Sequence, residues 1–206
     1  MREMLLSMEG KEDRDTMEYG EHVVERPARW RSWVTALLTL LVCLLLFWGI
    51  RTFIMQPYQI PSGSMEETVM TGDSLFSERV SYYFDTPQRG DIITFADPEI
   101  PSRVLLKRVI ATGGETVSLV NGRVLVDGVA IDEPYAVGPT YPLTPARNVE
   151  LRYPYTVPEG ELWVMGDNRE NSQDSRYFGA IPENTVTGKA FFVYWPLSRI
   201  GFLGSN

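Results

Sequence analysis

Histidine is almost missing from this chain. The 206 residues contain one, His22, and one cysteine, Cys43. His22 lies in a charged N-terminal tail and Cys43 inside an apolar run, so nothing after residue 50 carries an imidazole or a thiol. That excludes histidine-activated nucleophiles, thiolate enzymes and Cys/His metal clusters from most of the chain. It also excludes an intramolecular disulfide, so the fold must hold by packing alone. Positive charge is scarce as well: 19 Lys and Arg face 27 Asp and Glu, a net charge of −8. Nucleic acid is therefore not an expected partner, because phosphate contacts need a basic face. After the apolar run only two lysines remain, Lys107 and Lys189.

What the chain does have is one long uncharged stretch, Trp33 to Ile50. At about 1.5 Å per residue it spans roughly 27 Å as a helix, close to a hydrocarbon core of about 30 Å. A cleaved signal peptide fits poorly, since the charged segment before it is long and Ile54-Met55-Gln56-Pro57 offers no small-x-small site. A buried core helix would have to be apolar all round in a small protein. A membrane anchor fits best, with Trp30, Trp33 and Trp48 at its interfaces and Arg51 at its edge. Arg26, Arg29 and Arg31 precede the run, and past Arg51 no Lys or Arg occurs before Arg79. The positive-inside rule then makes residues 1–32 a cytoplasmic tail, 33–54 a single-pass anchor in the plasma membrane, and 55–206 an extracytoplasmic domain.

The signals after the anchor are those of short strands. They cover residues 91–95, 104–110, 116–120, 123–126, 129–131, 161–165 and 190–195. Asn121-Gly122 and Asp127-Gly128, each between apolar alternations, predict two tight hairpins. A short helix is expected from Ser64 to about Met70. The Pro-rich stretch Glu133 to Pro158 is long for a loop and reads as an excursion or an extra hairpin. The domain reads as mostly β and antiparallel.

Three segments could carry chemistry. Ile60-Pro61-Ser62-Gly63-Ser64-Met65 has the look of a nucleophile loop, yet Ser64 with Glu67 also fits a capping box. A serine nucleophile needs a base, and without histidine lysine becomes a candidate. Lys107 shares a strand face with Leu105 and Val109, so burial would lower its pKa. Bringing it from about 10.4 to about 8 takes roughly 3 kcal/mol of desolvation. The alternative is a charged gatekeeper on an exposed strand; Lys189 has the weaker case as a base. The third segment, Gly166 to Gly179, is either a polar surface loop or a functional loop on a rigid scaffold.

Four boxes in order resolve these alternatives by resemblance. Gln59 to Met65, Arg89 to Phe95, Lys107 to Ile110 and Gly166 to Gly179 together resemble the type I signal peptidases, membrane-anchored Ser/Lys proteases. The likeness covers the anchor and essentially all of residues 55–206. It implies an antiparallel β-sheet or partial-barrel catalytic domain behind one transmembrane helix. It implies Ser64 as nucleophile, Lys107 as general base, and the Ser62 hydroxyl with the Ser64 N–H as oxyanion hole. Ser172 would hydrogen-bond and orient Lys107, while Asp174 with Arg176 and Asp167 with Arg108 would be supporting ion pairs. Tyr58, Ile60, Met65, Leu105 and Leu106 would wall a shallow pocket for small side chains, as in an Ala-x-Ala cleavage site. No cofactor or metal is implied. The partners would be signal-peptide-bearing preproteins and the bilayer, with the enzyme a monomer. Glu67 replaces a common proline, and Ala111-Thr112-Gly113-Gly114-Glu115 replaces the usual Gly-Leu-Pro-Gly-Asp, but no reacting group is lost. Rival readings are another Ser/Lys hydrolase, such as a pilus-type maturation peptidase, and a tethered β module that binds extended peptides.

Overall fold

The computed structural model describes residues 29–204. The tail containing His22 lies outside the described residues, apart from its last few positions. Helix α1, Arg29–Gly49, takes up the apolar run. Its segment Trp30–Gly49 has a mean hydropathy of 2.1 and is long enough to cross a membrane. None of that window is buried in the protein, and Leu, Val, Phe and Trp side chains point out on every side. By length and composition it is a candidate membrane span. A π-type turn, Ile50–Ile54, ends it.

The remainder is mostly β, and all its strand pairs are antiparallel, as expected. The strands are β1 (Met55–Gln59), β2 (Ser74–Glu78), β3 (Ile92–Ala96), β4 (Val104–Thr112), β5 (Thr116–Val120) and β6 (Arg123–Val126). They continue with β7 (Val129–Ala130), β8 (Tyr155–Thr156), β9 (Glu161–Met165), β10 (Ile181–Pro182), β11 (Val186–Trp195) and β12 (Gly201–Phe202). The larger sheet runs β1-β2-β11-β3-β4-β9-β10, with β12 added to β11. A second sheet runs β7-β6-β5-β8. Its hairpins sit where the Asn-Gly and Asp-Gly pairs predict, with Asn121 at φ 51° and Asp127 at φ 52° ahead of glycines that also have positive φ. These are the conformations that two-residue hairpin turns require.

Strand β4 organises the interior. Residues Leu106 to Ala111 are all buried, so both of its faces are covered. Leu106 joins a core cluster with Ile60, Met65 and Leu75. Ile110 and Ala111 pack in a second cluster around Trp163, and Val109 in a third with Phe95 and Ile181. A strand with two buried faces gives Lys107 no exposed side. The gatekeeper alternative is thereby excluded.

Two strands, β1 at the sheet's edge and β2 beside it, carry no clear alternation and were not expected; Pro57 in β1 is tolerated because an edge strand leaves one row of N–H groups unpaired. Of the two readings of the Pro-rich stretch, the structure shows the excursion, with only the two-residue β8 in it and one isolated bridge, Val137 to Asn168. One expectation needs correction: no helix forms from Ser64 to Met70. That segment is a series of turns in the connection between β1 and β2, closed at its neck by Ile60 N–H to Asp73 O at 2.9 Å and Gly72 N–H to Ile60 O at 2.8 Å. Met65 O still accepts from Val69 N–H at 2.8 Å, but the two carbonyls ahead of it are held from outside the segment. Ser64 O accepts from Asn168 N–H at 3.1 Å, and Gly63 O accepts from Glu66 N–H at 3.2 Å and Asn168 Nδ2 at 3.1 Å.

Candidate active site

Ser64 is at the bend of this β1–β2 connection, and Lys107 is in the middle of β4. The register of β3 and β4, with Ile93 opposite Lys107, fixes where the lysine emerges. Its Nζ lies 2.6 Å from Ser64 Oγ, written formally as the ammonium donating to the hydroxyl. With the amine neutral the roles reverse, and the hydroxyl donates to the nitrogen lone pair. Ser64 is 8% exposed and Lys107 3%. The capping box expected from Ser64 to Glu67 is absent, since Ser64 Oγ is engaged by Lys107.

Burial lowers the Lys107 pKa from its ordinary 10.5 to about 8. Desolvation is the largest cause. The carboxylates of Asp174 and Asp167 pull the other way, and the guanidiniums of Arg176 and Arg103 add to the lowering. Each of the two carboxylates is bound by an arginine. Asp167 takes Arg108 Nε at 2.9 Å and Nη2 at 2.7 Å; Asp174 takes Arg176 Nε at 2.9 Å and Nη2 at 2.8 Å. These forked pairs are fully buried, and they neutralise charge that would otherwise hold the lysine protonated. Arg108 also donates to Gly90 O at 3.0 Å and lies 3.9 Å over the Tyr135 ring. Asp167 accepts from Thr68 Oγ1 at 2.5 Å, which ties the nucleophile loop to the same pair.

Two cavities meet at Ser64 and Lys107. The smaller, about 150 Å³, is walled by Tyr58, Ile60, Met65, Leu105 and Leu106, all five of the residues expected for a side-chain pocket. The larger, about 580 Å³, opens between Asp97, Glu99 and Arg103 on one side and Glu170 to Gln173 on the other. Ser62 is exposed and lines both.

Ser172 departs from expectation. It lines the larger cavity with Lys107, but its buried Oγ makes no hydrogen bond among the described residues. It packs instead on Gly166: a Cβ built there would lie 2.3 Å from Ser172 Oγ and 2.4 Å from Ser64 O. Only glycine lets the loop backbone come this close to the nucleophile. Lys189, the other lysine, is committed elsewhere, in an ion pair with Asp91 at 2.6 Å.

Several contacting residues were not singled out by sequence. Arg169, 1% exposed, donates to Glu133, to Thr140 Oγ1 at 2.8 Å and to Gly166 O at 2.9 Å. It thus pins the 166–179 loop to the Pro-rich excursion. Asn168 binds the nucleophile loop directly. Both belong to the polar loop whose composition drew notice, but Glu133 and Thr140 carry no local signal, being about thirty residues away in an irregular stretch. Among the described residues no cluster of His, Cys, Asp and Glu is fit to hold a metal ion.

Comparison with known proteins shows the family of the chain. The family described as "Signal peptidase, peptidase S26" matches residues 30–195. A probable signal peptidase I-1 of Synechocystis sp. is 40% identical over 87% of this chain and 91% of its own length. A signal peptidase I of Leptolyngbya laminosa is 40% identical over 76% of each chain. A crystal structure of a signal peptidase I from Enterococcus faecalis V583 is 35% identical; it aligns with 51% of this chain and 97% of its own, at a TM-score of 0.40.

Proposed function

Because the chain belongs to the signal peptidase family, peptidase S26, we propose that it is a membrane-bound serine endopeptidase that removes N-terminal signal peptides from secreted preproteins. In this reading Ser64 is the nucleophile and Lys107 the general base. The observation that carries it is the 2.6 Å contact between a buried, desolvated amine and a serine hydroxyl on the wall of two cavities. A lysine with a pKa near 8 is neutral often enough near pH 8 to accept a proton, as an exposed one is not.

The chemistry follows from that pair. Neutral Lys107 takes the Ser64 proton as Oγ attacks the scissile carbonyl carbon. The negative oxygen of the tetrahedral intermediate is held by the Ser62 hydroxyl and the Ser64 N–H. Collapse breaks the peptide bond, and the Lys107 ammonium gives its proton to the departing amine of the mature protein. The signal peptide remains as an ester on Ser64. Lys107, neutral again, deprotonates a water that attacks the ester carbonyl; as the ester C–O bond breaks, the Lys107 ammonium returns that proton to Ser64 Oγ, and the signal peptide leaves as a carboxylic acid.

Asp167–Arg108 and Asp174–Arg176 support the base strand from behind, and Ser172 completes the wall beside it. The apolar pocket of Tyr58, Ile60, Met65, Leu105 and Leu106 favours small side chains, which fits cleavage after Ala-x-Ala. The uncovered apolar helix is the single-pass anchor, the arginines before it keep residues 1–32 in the cytoplasm, and residues 55–206 work outside, as a monomer.

Mass-spectrometric mapping of the cut bond in a preprotein with one Ala-x-Ala site tests the reading. A single cut after the second alanine is expected, lost in Ser64→Ala. Turnover by Ser64→Ala, or cuts elsewhere in the preprotein, would refute it.

A further inference from the structure

The polar loop grips the nucleophile loop through one residue, Asn168. Its backbone N–H donates to Ser64 O at 3.1 Å, and its side-chain Nδ2 donates to Gly63 O at 3.1 Å. Gly63 O also accepts from Glu66 N–H at 3.2 Å, so two donors converge on this one carbonyl. The facing group is a carbonyl, which fixes the Asn168 amide with its nitrogen end toward it.

The Gly63 carbonyl is half of a peptide unit whose other half is the Ser64 N–H. In a trans peptide the C=O and N–H point in opposite directions. Fixing the oxygen therefore fixes the direction of the N–H. That N–H makes no hydrogen bond among the described residues, whereas the carbonyl on the same plane is doubly bound. The plane needs such a restraint, because Gly63 gives its own side of it the widest torsional freedom of any residue. The space where a side chain at Gly63 would sit is filled by the Glu66 carboxyl, 2.7 Å from an ideal Cβ.

Asn168 is itself well anchored. It forms the bridge with Val137, whose N–H donates to Asp167 O at 2.8 Å while Arg169 N–H donates to Val137 O at 2.9 Å. Arg169 is in turn held by Glu133 and Thr140. A rigid loop thus presents a donor to a flexible peptide plane.

We propose that Asn168 is a positioning residue for the oxyanion site: by holding the Gly63 carbonyl it aims the Ser64 N–H at the oxygen that becomes negative during acyl transfer. A hydrogen bond received at the oxygen also polarises the peptide and strengthens its N–H as a donor. Asn168 touches no reacting atom; it acts through the Gly63–Ser64 peptide it holds. The proposal rests on Ser64 being the nucleophile.

The test uses the full chain in detergent micelles, with Asn168→Ala and the near-isosteric Asn168→Asp. Asp keeps the backbone bond to Ser64 O but replaces the donor by a carboxylate that repels Gly63 O. Three quantities are read: kcat and KM on a preprotein, the midpoint of the pH–rate profile, and the affinity ratio of a peptide aldehyde to the matching peptide alcohol. The aldehyde forms a tetrahedral adduct on Ser64 and the alcohol does not. Both variants should lose roughly ten- to fiftyfold in kcat, less than the ~10²–10³ for deleting a donor outright, with KM little changed. The aldehyde-to-alcohol ratio should fall by a similar factor, and the pH midpoint should stay in place. An unchanged ratio, an unchanged kcat, or a kcat loss that moves the pH midpoint overturns the proposal. Collapse of the fold in both variants also overturns it, by making Asn168 a structural tie. Ser64→Ala is run alongside: if it turns over substrate or still discriminates the aldehyde, the nucleophile assignment fails, which is a separate result.

Discussion

Replacing the proposed base should make the protein inactive and more stable at once. Lys107→Met keeps an unbranched side chain of similar length in a site that is 3% exposed. In the folded state burial holds the amine near pKa 8, whereas in the unfolded chain it titrates near 10.5. At 1.36 kcal/mol per decade of proton concentration, this difference amounts to roughly 3 kcal/mol. Its sign follows from proton counting. Between pH 8 and 10.5 the unfolded chain holds a proton on this lysine that the folded chain has released, so stability rises with pH across that window. Below pH 8 the whole penalty is present, and above 10.5 it is gone. Methionine never carries it. Against this gain stands the lost contact with Ser64 Oγ, worth about 1 kcal/mol. Lys107→Met should therefore be more stable than wild type by ~2 kcal/mol at pH 7, or roughly 4–8 °C in Tm for a domain of this size. The advantage should shrink as the pH climbs toward 10.5. Urea unfolding of both proteins in the same detergent, at pH 7 and again at pH 10, measures it. A variant less stable than wild type at pH 7, or a difference that does not change with pH, would refute the desolvation argument.

The same titration sets the pH–rate profile. kcat/KM on a preprotein should rise with pH around a midpoint near 8, about tenfold higher on the plateau than at pH 7, and a flat profile would remove lysine from the base role. Arg108→Met leaves Asp167 buried with one fewer partner, and should cost about 3–5 kcal/mol in unfolding experiments. Ser62→Ala should lower kcat by ~10²–10³ with little effect on KM if its hydroxyl holds the oxyanion, and a KM effect alone would make Ser62 a substrate contact instead.

Much of the architecture was legible because it depends on local rules. Two-residue turns with positive φ need Asn-Gly or Asp-Gly, so β5, β6 and β7 could be placed from four residues. Strands β1 and β2 were not legible: Met55-Gln56-Pro57-Tyr58-Gln59 is an edge strand whose partner, not its own pattern, makes it extended. The helix expected after Ser64 fails for the same kind of reason. Local propensity favoured it, but Asn168, about a hundred residues later, takes the carbonyls that its first turn would use. For Lys107, alternation along the strand named apolar neighbours but could not tell an exposed strand from one covered on both faces. That depends on β3, β9 and the loop between Gly166 and Gly179.

The residues alone determined which groups were available: no imidazole or thiol beyond the apolar run, two lysines, a serine in a Pro/Gly-flanked loop, and a membrane-length helix. These are facts of composition and spacing, and folding cannot change them. Tertiary structure decided which of the two lysines meets the serine, that its amine is dry enough to lose its proton near pH 8, and that Ser172 packs on Gly166 without reaching a partner. Those outcomes depend on distances and dielectric surroundings created by segments far apart in the chain, which no local pattern encodes.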